Sequence, residues 1–362
     1  MMAANLYYFR TMKKLLKNIL LVLLCFALAA LVCQYKGDEW EEKLRLSFYA
    51  VTNDSIPSYA RTITDEKGIP FVHYADYKGV KTGDQYNATI VSNYAIDYYQ
   101  LVTEKNDSAS KINFLNCINW LADNITYKDH YALYEFKWKQ PFYDSVGAPW
   151  TSGMTSGRAI EAFTAAYRLY HSQQYLDHAM ALLRGFYQPI QQGAFTYKEP
   201  TGWWYEEYAD SNMHTPRVLD GHIFALQGVY KFWLLTKNDS AAYVIQQGIL
   251  SLKNNLPVYD IGDGWSYYDA YKLRSDKKYH MLLTSMMKEL WEITKDSLFN
   301  EYYRKWNAPL AKPYIYRIIK EKNHSGLVLY FFMSTFFFVV LFSASVFISK
   351  KYPKGNNHAL KQ

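Results

Sequence analysis

The sequence predicts a mainly α chain: an incomplete (α/α) toroid of about four αα-hairpins, with a short irregular or β N-terminal wrap and two flanking transmembrane segments. Three observations carry this. Apolar residues at helical spacing are interrupted by short polar turns near residues 106, 173, 238 and 296. Two stretches crowded with aromatics and acids, Trp203 to Tyr208 and Tyr259 to Asp269, fall between helical segments. Long uncharged apolar runs lie near both ends, with Lys clusters on their outer sides.

Residues 1–36 read as a cytoplasmic tail and signal-anchor. Lys13, Lys14 and Lys17 precede Ile19 to Cys33, 15 residues without a charge, which with Leu15 and Leu16 approaches the ~20 residues a spanning helix needs. There is no clean small-x-small cleavage site, so an anchor is favoured over a cleaved signal peptide. Residues 37–85 mix extended character with turn residues and read as the irregular wrap. Residues 86–310 hold the hairpins, 311–325 a linker, and 326–348 a continuous apolar run of 23 residues that reads as a second span. Residues 349–362 form a basic tail. The Lys placement puts both termini in the cytoplasm and the domain outside it, in a two-pass membrane protein whose first partner is the lipid bilayer.

Each hairpin has a break that justifies it. Ile90 to Val102 stops at Glu104 to Ser108 and resumes to Leu121. Ile160 to Tyr170 stops at His171 to Gln174 and resumes to Phe186. Val218 to Leu235 stops at Thr236 to Ser240 and resumes to Leu256, and His280 to Ile293 stops at Thr294 to Ser297 and resumes to Trp306. The longer links 124–156, 187–216 and 257–279 carry the aromatic and acidic clusters, the pattern of a helical frame with a site on its loops.

Composition narrows the function. The chain has 35 Tyr, 10 Trp and 20 Phe, and aromatic-rich clefts suit sugars, whose C–H faces pack on rings. The net charge of +7 lies partly in the flanks of the apolar runs, and no basic run interleaves with aromatics, so no nucleic acid partner is expected. Cys25 and Cys33 belong to the first apolar segment, and Cys117 reads as a buried helix thiol. No Cys/His spacing suggests a metal site, and no cofactor is implied. Trp203, Trp204 and Tyr205 read equally as wall or site, Glu206 as a solvated or capping carboxylate, and Arg158 as a substrate contact or a helix cap. Asp260 and Gly262 read as turn residues, and His214 and His222 as ordinary histidines.

An ordered set of motifs then carries a resemblance. It comprises Tyr86-Asn87-Ala88-Thr89-Ile90, Pro149-Trp150-Thr151-Ser152-Gly153 through Arg158-Ala159-Ile160, Trp204-Tyr205-Glu206-Glu207-Tyr208, Val218-Leu219-Asp220-Gly221, Tyr259-Asp260-Ile261-Gly262, Tyr268-Asp269 and Tyr279-His280. Over about 68–310 the chain resembles the catalytic C-terminal domain of the D-glucuronyl C5-epimerase family. The resemblance implies an (α/α) barrel that inverts C5 of hexuronic acid residues, glucuronate to iduronate, in an anionic polysaccharide, beside partners of glycan synthesis. It implies catalytic roles for Tyr208 and its neighbour Glu207, for Tyr268 (Tyr267 by an ungapped count) and for Tyr279. Where the animal enzymes have an Arg this chain has Tyr271, so Lys272 or Arg274 is expected to take over the carboxylate contact. Trp150, Trp204, Tyr205, Arg158, Tyr267 and His280 complete the expected substrate contacts.

The chemistry sets requirements. Removing the hydrogen α to a carboxylate needs that charge neutralised by Arg, Lys or strong donors. Two proton-transfer groups must flank the ring. A phenol, with a pKa of about 10, is expected to have it depressed if it is to act as base. A lyase sharing the first step, and a non-catalytic glycan-binding toroid, remain alternatives.

Overall fold

The computed structural model describes residues 2–52, 61–74, 79–140, 142–210, 212, 215–320 and 322–351. It divides into two compact units, Met1–Asp54 with Pro309–Gln362, and Ser55–Ala308.

The first unit begins with α1 (Met2–Thr52), which runs as one helix through residues 37–52, where an irregular wrap is expected from the sequence. Cys25, Ala29 and Cys33 recur every fourth residue and are buried, so one face of α1 is a stripe of small side chains that lets another helix approach closely.

The second unit starts with a three-stranded antiparallel sheet, β1 (Arg61–Thr64), β2 (Pro70–Tyr74) and β3 (Gly83–Gln85), in that order. The four hairpins follow: α2 (Ala88–Lys105) with α3 (Ser108–Asp123), α4 (Gly153–Tyr170) with α5 (Gln173–Gly185), α6 (Leu219–Thr236) with α7 (Asp239–Asn255), and α8 (Lys277–Thr294) with α9 (Ser297–Leu310). Between α3 and α4 lie two-residue strands: β4 (Thr126–Tyr127) pairs with β5 (Ala132–Leu133), and β6 (Glu135–Phe136) with β7 (Trp150–Thr151).

One turn chemistry explains all four hairpins. The first helix of each ends on a left-handed residue, Asn106, His171, Lys237 or Lys295, whose N–H still donates to the carbonyl four residues back. None of these is a glycine, and the conformation costs about 1–2 kcal/mol at each. The next residue, Asp107, Ser172, Asn238 or Asp296, starts the second helix. Asp107, Asn238 and Asp296 accept a backbone N–H in their side chains, which offsets that cost by about 1 kcal/mol each.

Helices α2, α4, α6 and α8 pack in chain order. The closest approach is α4 on α6, where a side chain on Gly157 would meet the backbone of Ala225 at 2.5 Å, and one on Gly228 the carbonyl of Gly157 at 1.8 Å. Two apolar cores result. The larger, with Val91, Phe114, Ile160, Phe163 and Tyr205, joins the first three hairpins. The other, with Trp204, Ile223, Tyr259, Met287 and Trp306, joins the last two.

The chain then returns to the first unit. Residues 311–325, expected to be a linker, contain α10 (Tyr314–Lys320), and α11 (His324–Lys351) carries the second apolar run. Helix α11 packs along α1. Both contain stretches long and apolar enough to cross a membrane, Thr11–Glu41 and His324–Phe347. The Glu41 carboxylate accepts hydrogen bonds from Asn323 (2.7 Å), Ser325 (3.0 Å) and Tyr314 (3.2 Å), and Arg317 pairs with Asp38 at 3.0 Å. The tail from residue 352 and His214 lie outside the described residues.

Candidate active site

Three long loops lead into the first turns of α4, α6 and α8. The loop before α6 contains a hairpin of β8 (Thr196–Glu199) and β9 (Gly202–Tyr205), paired Thr196 to Tyr205 and Glu199 to Gly202. The Trp203–Tyr208 stretch, which matches no regular period in the sequence, therefore begins as a strand. Its residues do not alternate in polarity because both faces are covered: Tyr205 enters one apolar core and Trp204 the other. Backbone bonds lace the loops together. Gly153 N–H donates to Glu206 O at 2.7 Å, Thr151 pairs with Ala209, and Leu219 N–H donates to Tyr268 O at 3.1 Å.

Two buried histidines fix the loops to the helices. The His222 ring stacks on Trp204 at 4.1 Å; its Nδ1 accepts the Tyr205 N–H and its Nε2 donates to Gly248 O. The His280 ring stacks on Trp265 at 3.9 Å; its Nδ1 accepts from Ser266 N–H and hydroxyl, and its Nε2 donates to Trp306 O. Burial drives the pKa of His222 down to about 3 and of His280 to about 4, so both rings are neutral. His280, expected as a sugar contact, is fully enclosed and has both nitrogens committed.

Above this floor the loops bring together Tyr143, Glu207, Tyr208, Tyr268 and Tyr279, each half-buried, and the buried Asp220. The Tyr208 ring lies 5.5 Å from Tyr143 and 5.4 Å from Trp150, and Tyr268 meets Tyr279 edge-on at 4.8 Å. The Tyr208 phenol and the Glu207 carboxyl are neighbours in the chain and act on each other electrostatically. Asp220 is buried in the first turn of α6. Glu207 Oε2 and Asp220 Oδ1 are sealed from solvent without a hydrogen-bond partner. Gly221 admits Glu207: a Cβ there would lie 2.5 Å from Glu207 Oε2.

Burial and the neighbouring Asp220 hold Glu207 above the ordinary carboxylate range, and burial does the same to Asp220. The helix start favours ionised Asp220 by about 0.3–1 kcal/mol, too little to offset burial. Burial, then these carboxyls, pushes the phenols of Tyr208, Tyr268 and Tyr279 upward. The expected depressed phenol is thus absent among the three, because the charges acting on them are acidic. Tyr143 is also raised and donates to Asp269 at 2.6 Å.

Other expected residues lie elsewhere. Trp204 and Tyr205 have no exposed surface and belong to the cores. Trp150 is buried, stacks on Phe136 at 3.9 Å and backs Tyr208. Arg158 neither caps a helix nor joins the cluster; it donates to Asn93 and Glu161 at 2.7 Å each, over the ring of Phe224. Lys272 is the exposed left-handed residue of a turn. Arg274 is exposed, 3.5 Å from Asp263 and over the face of Trp265. Tyr267 is half-buried, tied to Tyr259 O through its N–H. Glu206 is fully buried rather than solvated; its Oε2 accepts the Arg217 N–H at 3.1 Å, and burial raises its pKa to about 8. Asp220 and Tyr143 escaped the sequence reading as site residues. An Asp in a helix's first turn looks like an ordinary helix-start charge, and Tyr143 lies in a loop without periodicity.

The family model for the D-glucuronyl C5-epimerase C-terminus matches residues 128–308, half of the chain. An uncharacterized protein of Methanocaldococcus jannaschii is 32% identical over 187 residues, 51% of this chain and 58% of that protein. The D-glucuronyl C5-epimerase of Caenorhabditis elegans is 27% identical over 178 residues, 43% of this chain and 28% of that enzyme. The chain thus matches less than two thirds of the length of either relative. Among solved structures, cellobiose 2-epimerase from Bacillus thermoamylovorans aligns over 82% of this chain and 86% of its own, at 11% identity and a TM-score of 0.47. With the family model covering the loops and helices that build the cluster, the chain belongs to the D-glucuronyl C5-epimerase C-terminus family.

Proposed function

We propose that the protein is a membrane-anchored carbohydrate epimerase that inverts C5 of hexuronic acid residues in an anionic polysaccharide, glucuronate to iduronate, on an (α/α) toroid outside the cytoplasm. The observation that carries this reading is the convergence of Tyr208, Tyr268 and Tyr279 with the raised carboxyls of Glu207 and Asp220 at the first turns of α6 and α8.

The geometry supports one assignment of roles. Glu207, with a pKa lifted toward neutrality, is suited to be the general base. Tyr208 stands between it and the substrate: as the C5–H bond breaks, the proton passes to the Tyr208 oxygen while the Tyr208 hydroxyl proton passes to Glu207. The electron pair of the bond enters the carboxylate as an enediolate. Tyr268 and Tyr279, held protonated by their raised pKa values, donate hydrogen bonds to that charge, and one of this pair returns a proton to C5 from the opposite face. Phenolic donors replace the Arg or Lys expected to neutralise the carboxylate. The bound tyrosinate is then reprotonated from solvent as Glu207 loses its proton.

The test is incubation of the detergent-solubilised chain with uronic-acid polymers in D2O, followed by NMR. Deuterium at C5 with new iduronate-type signals is expected. An unsaturated, ultraviolet-absorbing product would replace the epimerase reading with a lyase. Polymer binding without C5 exchange would replace it with a glycan-binding module.

A further inference from the structure

The Asp220 side chain has no part in the proton path above, yet its position ties it to Glu207. Asp220 is buried in the first turn of α6, and its Oδ1 has no hydrogen-bond partner among the described residues. Glu207 is pressed against the same helical turn, where only a residue without a Cβ leaves room, and its Oε2 is buried and unpartnered too. Two carboxyls with orphan oxygens in one closed site cannot both ionise freely, and a proton held between them relieves the repulsion. The remaining titratable groups acting on the pair are Glu206 and Tyr208 from the same loop, Tyr143 from the loop before α4, Tyr268 from the loop before α8, and Tyr279 from α8 itself. Among the described residues acting on either carboxyl there is no cation.

We infer that Asp220 is a positioning residue that works with Glu207 as one proton-holding pair, Asp220 setting how tightly Glu207 holds the proton it receives from C5 through Tyr208. The inference rests on the epimerase reading for its catalytic meaning, but not for the pairing itself. Burial alone would give Glu207 some of its basicity, and the like charge at Asp220 supplies the rest. The pair takes up one proton during C5–H cleavage and gives one up when the site is reset, so no co-reactant is needed.

The test uses the full chain in detergent and two readouts. In the first, the carboxyl of Glu207 is titrated by infrared difference spectroscopy without substrate, assigned by its loss in Glu207→Gln. Asp220→Asn should move that titration down by about one pH unit or more, because the like charge is gone. Asp220→Ser, which keeps a helix-start hydroxyl, must move it the same way, and Glu206→Gln must move it less. An unmoved Glu207 titration in folded Asp220→Asn and Asp220→Ser overturns the pairing whatever the activity. In the second, C5 exchange is followed against pH. The acid limb reports ionisation of the base, so it should move to lower pH in Asp220→Asn, with kcat reduced about tenfold and KM nearly unchanged. A uniform loss of rate with an unmoved acid limb overturns the catalytic meaning and leaves Asp220 a packing residue. If wild-type protein exchanges no C5 hydrogen yet its Glu207 titration moves on substitution, the pair stands and the epimerase reading falls.

Discussion

Trp204 and Trp265 head two short runs that follow one plan. Each indole lies flat on a histidine of the following inner helix, His222 or His280, with the ring planes 13° apart in both cases. The residue after each Trp gives its N–H to Nδ1, and Nε2 reaches a carbonyl of the hairpin's second helix. Aligned on this clamp, Glu207 falls opposite Tyr268 and Tyr208 opposite Asp269. One run delivers an acid then a phenol, the other a phenol then an acid. The shared geometry is that of a loop anchor; the two runs differ in the order of the two residues three and four places beyond it. This also explains why neither His222 nor His280 is free to act on a ligand. Both rings are spent on holding the loops, and burial has removed their charge.

The comparison can be broken most forcefully at its reactive ends. Tyr208→Phe should lower kcat by about 10²–10⁴-fold, the usual worth of a proton-transfer group. Its positional counterpart, Asp269→Asn, alters the group that accepts from the Tyr143 hydroxyl and the Leu273 N–H and should cost about tenfold or less. Kinetics of C5 exchange distinguish the two. The anchors come next. His222→Ala should destabilise the fold by about 3 kcal/mol, having left the Tyr205 N–H and the Gly248 carbonyl unpaired and opened a cavity. His280→Ala should cost about as much, leaving the Ser266 N–H and the Trp306 carbonyl unpaired, while the Ser266 hydroxyl keeps that of Ser275 at 3.2 Å. Chemical denaturation in detergent measures both.

A pH experiment sharpens the comparison further, because only the first run places a buried acid next to its anchor. Glu206 loses its proton near 4.3 when unfolded but at about 8 when folded. The unfolded chain therefore binds fewer protons across that window, and stability falls as pH rises through it. Glu206→Gln should remove its share of that decline, seen as a shallower fall of the melting temperature between about pH 4.3 and 8, with the shares of Glu207 and Asp220 remaining. The smallest effect is expected at Arg274, the cation nearest the second run. Exposed and paired only at 3.5 Å, it should cost under about 1 kcal/mol when changed to Ala and leave the C5-exchange rate nearly intact.

What could be read from the sequence depended on whether the determinant was local. The hairpin breaks were legible because Asp107, Asn238 and Asp296 announce a helix start within three residues. The β8–β9 hairpin was not, because its polarity is set by two cores assembled from distant helices. Glu206 was misjudged, and Trp204 left open between wall and site, for the same reason: nothing near them in the chain says that Arg217 and His222 will close over them. The convergence of Glu207, Tyr208, Tyr268 and Tyr279 was approached only through family resemblance, since three separate segments supply them. The upward direction of their phenol pKa values depends on which charges the fold brings near, and a sequence containing Lys272 and Arg274 close to Tyr268 suggested the opposite sign.

The contact between Gly157 and Gly228 has a consequence for how such a protein can diversify. With backbone laid on backbone, neither position can accept even a methyl group without forcing α4 and α6 apart. The two helices whose first turns hold Thr155 and Asp220 thus behave as a fixed chassis with no room for gradual adjustment. The loops 124–152, 187–218 and 256–276 are where a residue can be exchanged without moving that frame. A library confined to those loops, with the glycine pair untouched, is the natural route to altered specificity in this chain.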